Sequence, residues 1–144
     1  MGINIEIDGL DNILDNLENI SSKLDGAVQN GVAKGGKAIQ AQCKGECPVG
    51  DTGHLRNSIV EETTGGDGKY TSEIGPTADY GIYVEMGTGI YAGGRQTPWR
   101  YQDSKGQWHT TRGQRPHPYM EPGFEAGKDE AVEILTNEVQ KAIN

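Results

Sequence analysis

Apolar and polar residues alternate strictly near the start of the chain, where residues 3–8 read Ile-Asn-Ile-Glu-Ile-Asp. A period of two predicts a strand with one buried face, ended by Asp8-Gly9. From Leu10 the period changes. Leu10, Leu14, Leu17, Leu24, Val28, Val32, Ile39 and Cys43 recur mostly at spacings of three, four or seven. This predicts an amphipathic helix from Leu10 to about Cys47, with Asp11 as a candidate cap. Straight, it would run ~55 Å at ~1.5 Å per residue. Gly26, Gly31, Gly35 and Gly36 fall inside it. Each weakens a helix by roughly 1 kcal/mol relative to Ala, so a bend or break is expected near Gly35-Gly36. Close approach of another backbone, a second subunit's included, is the alternative reason for such glycines.

Pro48 ends that helix, because a residue before proline avoids the helical region. A loop over 48–53 and a short helical turn over 52–59 follow. Residues 58–64 and 70–75 flank Gly65-Gly66-Asp67-Gly68 and predict a β-hairpin. Asp79 to Met86 reads as a short helix. The stretch 87–117 is the least regular. Within it, Trp99 to Gln102 and Gln107 to Thr111 read as a small protruding hairpin. Pro118 to Asn144 reads as a terminal helix with Phe124, Ala131, Leu135, Val139 and Ala142 on its apolar face. Glu121 near its start and Lys141 near its end suit the helix dipole. The order predicts a single α+β domain over 1–144. Long N- and C-terminal helices pack on a small antiparallel sheet, and a loop insert spans about 90–116.

Composition sharpens this picture. The 144 residues are one domain's worth, yet only 33% are hydrophobic and mean hydropathy is -0.67. With 22 glycines the core is lean, and lean cores of this size are often completed by a neighbouring subunit. The net charge of -8 argues against a dedicated nucleic-acid or membrane-surface protein. It hides an asymmetry: Gly93 to Pro118 is net +4, on a remainder that is net -12. No stretch approaches the ~18 apolar residues of a membrane span. The N-terminus lacks the basic and long apolar regions of a signal peptide and the serine or threonine of a myristoylation motif, so synthesis and retention in a cytosol are expected. Two cysteines do not make a disulfide framework.

Candidate chemistry is sparse. Cys43 and Cys47, four apart on a helix with His54 nearby, offer at most the start of a zinc site, and their spacing matches no standard finger. Two small buried residues on a helix stripe is the plainer reading. No nucleophile–base motif, P-loop or metalloprotease motif is present, so no catalytic, cofactor or metal residues are assigned. Gly87-Thr88-Gly89 lacks the lysine of a phosphate cradle and reads as a hinge releasing the following loop. That loop interleaves Trp99, Tyr101 and Trp108 with Arg95, Arg100, Arg112 and Arg115. Aromatic residues with arginine characterise protein–protein hot spots and nucleic-acid grooves alike.

Three segments carry a resemblance. Residues 47–59 contain Pro48, Asp51, Thr52, Gly53, Leu55, Arg56 and Ser58 in a P-x-x-T-G-x-L-R-x-S-I pattern. Gly75 is followed by Tyr80, Tyr83, Glu85, Gly87, Thr88 and Gly89, a glycine after a strand and then an aromatic pair before V-E-x-G-T. Pro118, Tyr119, Met120, Pro122 and Gly123 resemble a P-F-L-x-P-A lead-in to a last helix, with Tyr119 in place of Phe. In this order the motifs resemble the lambdoid-type bacteriophage tail-component family, over about 47–124; the longer 91–115 insert is a departure. The resemblance implies a structural, non-enzymatic virion protein of a long-tailed phage or prophage, made in the host cytoplasm. It would form a homo-oligomeric ring at the neck or tail-completion region, joining head to tail around the DNA channel. The implied partners are further copies of the chain, adjacent head-completion and tail-terminator or tail-tube proteins, and channel DNA non-specifically, with no membrane and no cofactor. A tail terminator ring and a small nucleic-acid or peptide-binding module are the alternatives. On the residues' own chemistry, Asp51-Thr52-Gly53 is expected to cap the turn after it, and Arg56 to pair with Glu85. The arginines and tryptophans at 95, 99, 100, 108, 112 and 115 are expected to contact a partner or the lumen.

Overall fold

A computed structural model of the protein describes residues 10–50 and 53–144, the first seven by backbone alone. The strand expected over 3–8, the Asp11 cap and the Asp51-Thr52 turn lie outside the described residues or side chains. Helix α1 (Leu10–Glu46) is followed by α2 (His54–Asn57) and the hairpin β1 (Ile59–Gly66) and β2 (Lys69–Pro76). Next come α3 (Gly81–Met86), a 3-10 turn (Gly89–Ala92), the hairpin β3 (Trp99–Gln102) and β4 (Trp108–Thr111), and α4 (Met120–Ile143). This is an α+β fold with two separate two-stranded antiparallel sheets.

The long helix does not break at Gly35-Gly36. Gly31, Gly35 and Gly36 are notches for neighbours within the same chain, while Gly26 faces open space. α1 and α4 run antiparallel and meet through Gly31 at Leu135, Gly35 at Ala131, Ile39 at Gly127 and Cys43 at Gly123. Each step is four residues on both helices, so one ridge is followed throughout. At one end α1 supplies the glycine, and at the other α4 does. A methyl group on Gly123 would sit 2.5 Å from the Cys43 Cα. Close approach brings more atoms into dispersion contact, which offsets the helix propensity lost to glycine. Lys34 Nζ and Glu138 Oε1 close the seam at 2.8 Å.

The seam uses Ala131 and Leu135 of the expected apolar face of α4 but leaves Phe124 out of the buried set. Gly123 and Gly127 are the buried residues of α4, while Phe124 lies 49% exposed. Leu17 on α1 is likewise exposed rather than part of a buried stripe.

The β1–β2 hairpin lies on α1. Its strands run further than the sequence suggests, pairing Ile59 with Pro76 through to Gly66 with Lys69. Only Asp67 and Gly68 remain as the turn, at φ 52 and 79, as a two-residue loop with both residues left-handed requires. Asp25 of α1 holds this tip, accepting from Gly68 N at 2.7 Å and from the Tyr70 hydroxyl at 2.8 Å.

The core is small. Cys43, Cys47, Leu55, Ile59 and Tyr119 are buried together, with Ile39, Ile74, Ala78, Val84 and Met120 packed around them. They join α1, α2, the first hairpin, α3 and the start of α4.

Candidate functional site

The motif residues fall into two groups, those that build the core junction and those that stand away from it. In the first segment, Gly53 takes φ 64 at the start of α2. Leu55 is buried, and Ser58 Oγ donates to Leu55 O at 2.7 Å. The Ser58 carbonyl accepts from Thr77 N at 2.9 Å, tying α2 to the end of β2. Gly75 sits on β2 opposite Val60. Pro48 is half-buried, and Arg56 is exposed.

Glu85 does not pair with Arg56. Its carboxylate lies at the N-terminus of α4, accepting from Tyr119 N at 2.7 Å, Met120 N at 3.0 Å and Glu121 N at 3.1 Å. The first N–H groups of a helix have no partner inside it, and the positive end of the dipole faces them. A carboxylate from α3 therefore caps a helix 35 residues further on. Pro118 is exposed beside this end; Pro122, in the first turn, lacks an N–H that the helix would not use there.

Tyr119 is the largest fully buried side chain among the described residues, and its hydroxyl donates to Gly81 O at 2.9 Å. Burial, together with the nearby Cys47 and Glu85, pushes its ionisation up to about 12. Burial also raises both thiols; Cys43 Sγ lies 3.6 Å from Met120 O, and Cys47 Sγ lies 3.6 Å from Pro48 O. Among the described residues, no group of three or more His, Cys, Asp or Glu side chains converges as a metal ion would require.

Gly87-Thr88-Gly89 is a clamp rather than a hinge. Thr88 N donates to Gln114 O at 2.9 Å, and Gln114 N donates to Thr88 Oγ1 at 2.8 Å. Ile90 N reaches Arg112 O at 3.1 Å, and His117 N reaches Val84 O at 2.8 Å. Gly87 and Gly89 have φ 79 and 60, and each leaves no room for a Cβ against the opposing backbone at 112–116. The two stems of the insert are thus stitched together at its base.

Beyond the clamp the insert forms an arm. Its register pairs Trp99 with Thr111, Arg100 with Thr110, Tyr101 with His109 and Gln102 with Trp108. Alternation then separates the tryptophans. Trp99, Tyr101, His109 and Thr111 share one face, while Arg100, Gln102, Trp108 and Thr110 share the other. The Arg100 guanidinium lies 5.2 Å from the Trp108 ring, Arg95 5.5 Å from Trp99, and Arg115 5.6 Å from Tyr91. Trp108 is 59% exposed.

Asp103 organises the tip. It accepts from Lys105 N at 2.9 Å and Gln107 N at 2.8 Å, and meets His109 Nε2 at 2.7 Å. The His109 contact and these backbone donors hold its carboxyl below the usual range. His109 in turn stacks on Tyr101, with centroids 5.2 Å apart. Asp103 and His109 were not among the expected site residues, although a hairpin loop opening with aspartate signals such a turn. Gly81 and Gly113 were not legible either, because their roles depend on distant neighbours, and the sequence marked Gly123 only as a motif position.

A second exposed apolar area lies on α3, where Ile82, Tyr83 and Met86 all face outward. Tyr80, at the start of α3, has its ring 6.1 Å from that of His54. No helix among the described residues is long and apolar enough to cross a membrane.

No curated protein and no solved structure matches the chain. The family described as Bacteriophage HK97-gp10 tail-component (HK97-gp10-like) matches residues 11–87, which hold α1, α2, the first hairpin, α3 and the Glu85 cap. That match spans more than half of the 144 residues, and the chain belongs to this bacteriophage tail-component family.

Proposed function

We propose that this chain is a structural subunit of a long-tailed phage or prophage particle that forms a homo-oligomeric ring in the neck or tail-completion region. The ring joins head to tail around the DNA channel, next to head-completion and tail-terminator or tail-tube proteins. The chain works there by binding its neighbours, without catalysis. The observation that carries this reading is that a chain of this tail-component family has a small core and leaves much apolar surface uncovered. Ile82, Tyr83 and Met86 on α3 and Trp108 on the arm are all more than half exposed. Monomers rarely expose such surface in quantity, and subunit contacts cover it.

The test is to induce particles from the source cell, purify them, probe them with an antibody to this chain and image the label by electron microscopy. Label at the head–tail junction in a few copies per particle is the expected result. Label along the tail or at its far end would move the subunit elsewhere in the tail. Its absence from intact particles would overturn the reading.

A further inference from the structure

Among the described residues, α1, β2 and α4 enclose an open apolar groove. Its floor is α1 at Val32, Gly36 and Ile39; one wall is β2 at Ile74, and the other is α4 at Phe124 and Val132. Its volume of about 220 Å³ is below the ~300–1,000 Å³ of a small-molecule site. It suits a single large side chain presented by another chain. Phe124 and Val132 on its wall are 49% and 64% exposed.

The first hairpin and α4, which flank this groove, are both acidic. On the β2 side, the Glu61 carboxylate accepts from the Thr63 hydroxyl and from Ser72 Oγ, and Ser72 lines the groove. On the other side, α4 is net -4 from Met120 to Ile143, with Glu125, Asp129 and Glu133 along the row beside Phe124 and Val132. Lys128, between those two apolar residues, is held by Glu125 at 2.7 Å. The first hairpin is net -3 over Ile59–Pro76.

The arm has the complementary character. It belongs to the segment of net +4, and its outer face offers an exposed indole beside a guanidinium. Its strands pack mainly on each other rather than on α1, α4 or the first hairpin. The arm is therefore a basic, aromatic projection on a chain that also carries an apolar groove with acidic flanks.

We infer that the arm of one copy docks on a second copy of this chain, placing Trp108 in the α1–β2–α4 groove with Arg100 against its acidic flanks. The two surfaces differ, so the contact is heterologous and propagates from copy to copy until a ring closes. Opposite charge sets the orientation, and the buried indole holds the contact. This deepens the ring reading by naming its contact, and it rests on that reading for closure.

Two lesions test it. Trp108→Ala removes the projection, and Val132→Glu blocks the groove at an exposed helix position that leaves the fold intact. Sedimentation velocity is run on the wild type, on each variant and on their equimolar mixture. The wild type should associate with rising concentration, and each variant alone should associate at least about thirtyfold more weakly. The mixture should form a one-to-one pair and stop there, because one intact arm still meets one intact groove. That rescue also shows that both variants are folded. A wild type that stays monomeric, variants that associate like the wild type, or a mixture that does not pair would each overturn the contact. So would loss of association by Trp108→Ala together with salt-dependent binding of short DNA by the wild-type arm and no effect of Val132→Glu. Labelling of particles is a separate readout, so a failed contact and a failed placement in the neck are told apart.

Discussion

The α1–α4 seam and the arm use opposite means to fix a geometry. The seam has almost no polar side-chain chemistry; glycines at four-residue steps let two backbones approach until dispersion holds them. The arm has almost no buried surface, and charge orders it, with guanidinium groups over rings and Asp103 gathering three donors at the tip. Packing of the first kind depends on shape and tolerates little change. Ordering of the second kind depends on salt and pH, and its groups stay available to other molecules.

The strongest blow to the seam is Gly123→Leu. A Cβ there meets the Cys43 backbone, which has nowhere to move. Urea unfolding should show a loss of about 3 kcal/mol or more. An unchanged midpoint would mean that the helices do not approach this closely.

Glu85→Ala comes next, because it removes the α3 carboxylate that caps the N-terminus of α4. The expected cost is about 2 kcal/mol, and Glu85→Gln, which keeps an acceptor without the charge, should cost about half as much. Equal losses for the two variants would mean that the carboxylate's charge contributes nothing at the dipole.

The smallest effect belongs to the arm. Asp103 has a lowered ionisation, so the ordering it provides is complete above the usual aspartate range near ~3.9 and is lost as pH falls through the lowered value. Amide resonances of Lys105 and Gln107 should shift through that window while the body's unfolding midpoint for Asp103→Asn stays at the wild-type value. A destabilised body would show that arm and seam are coupled after all.

Much of this was legible in residue order. The period of α1, the hairpin at Asp67-Gly68 and the start of α4 follow from local pattern, because helices and tight turns are specified by neighbours in sequence. The three motif segments were also readable, and the family they resemble is the one the chain belongs to. What residue order hid is long-range. Gly35 reads as a weak point in a helix until Ala131 is placed against it. Phe124 fits a helical stripe, but the face that packs is set by where Cys43 and Ile39 stand, and they select Gly123 and Gly127. Glu85 next to a pair of tyrosines gives no hint that its partners are amides 34 to 36 residues away. In the arm, two tryptophans and four arginines suggested one surface; strand alternation divides the indoles between two faces.

The clamp at Thr88 and Gln114 has a consequence for how this protein can vary. It brings the two ends of the insert within hydrogen-bonding distance before the arm begins, and the Val84–His117 bond repeats the closure one step inward. The body therefore registers only that the ends meet, and the cost of closing a longer or shorter loop changes slowly with its length. Residues 90–112 behave as a cassette. Exchanging or lengthening it should leave the scaffold as it is, so what the subunit meets can change without redesigning how it folds.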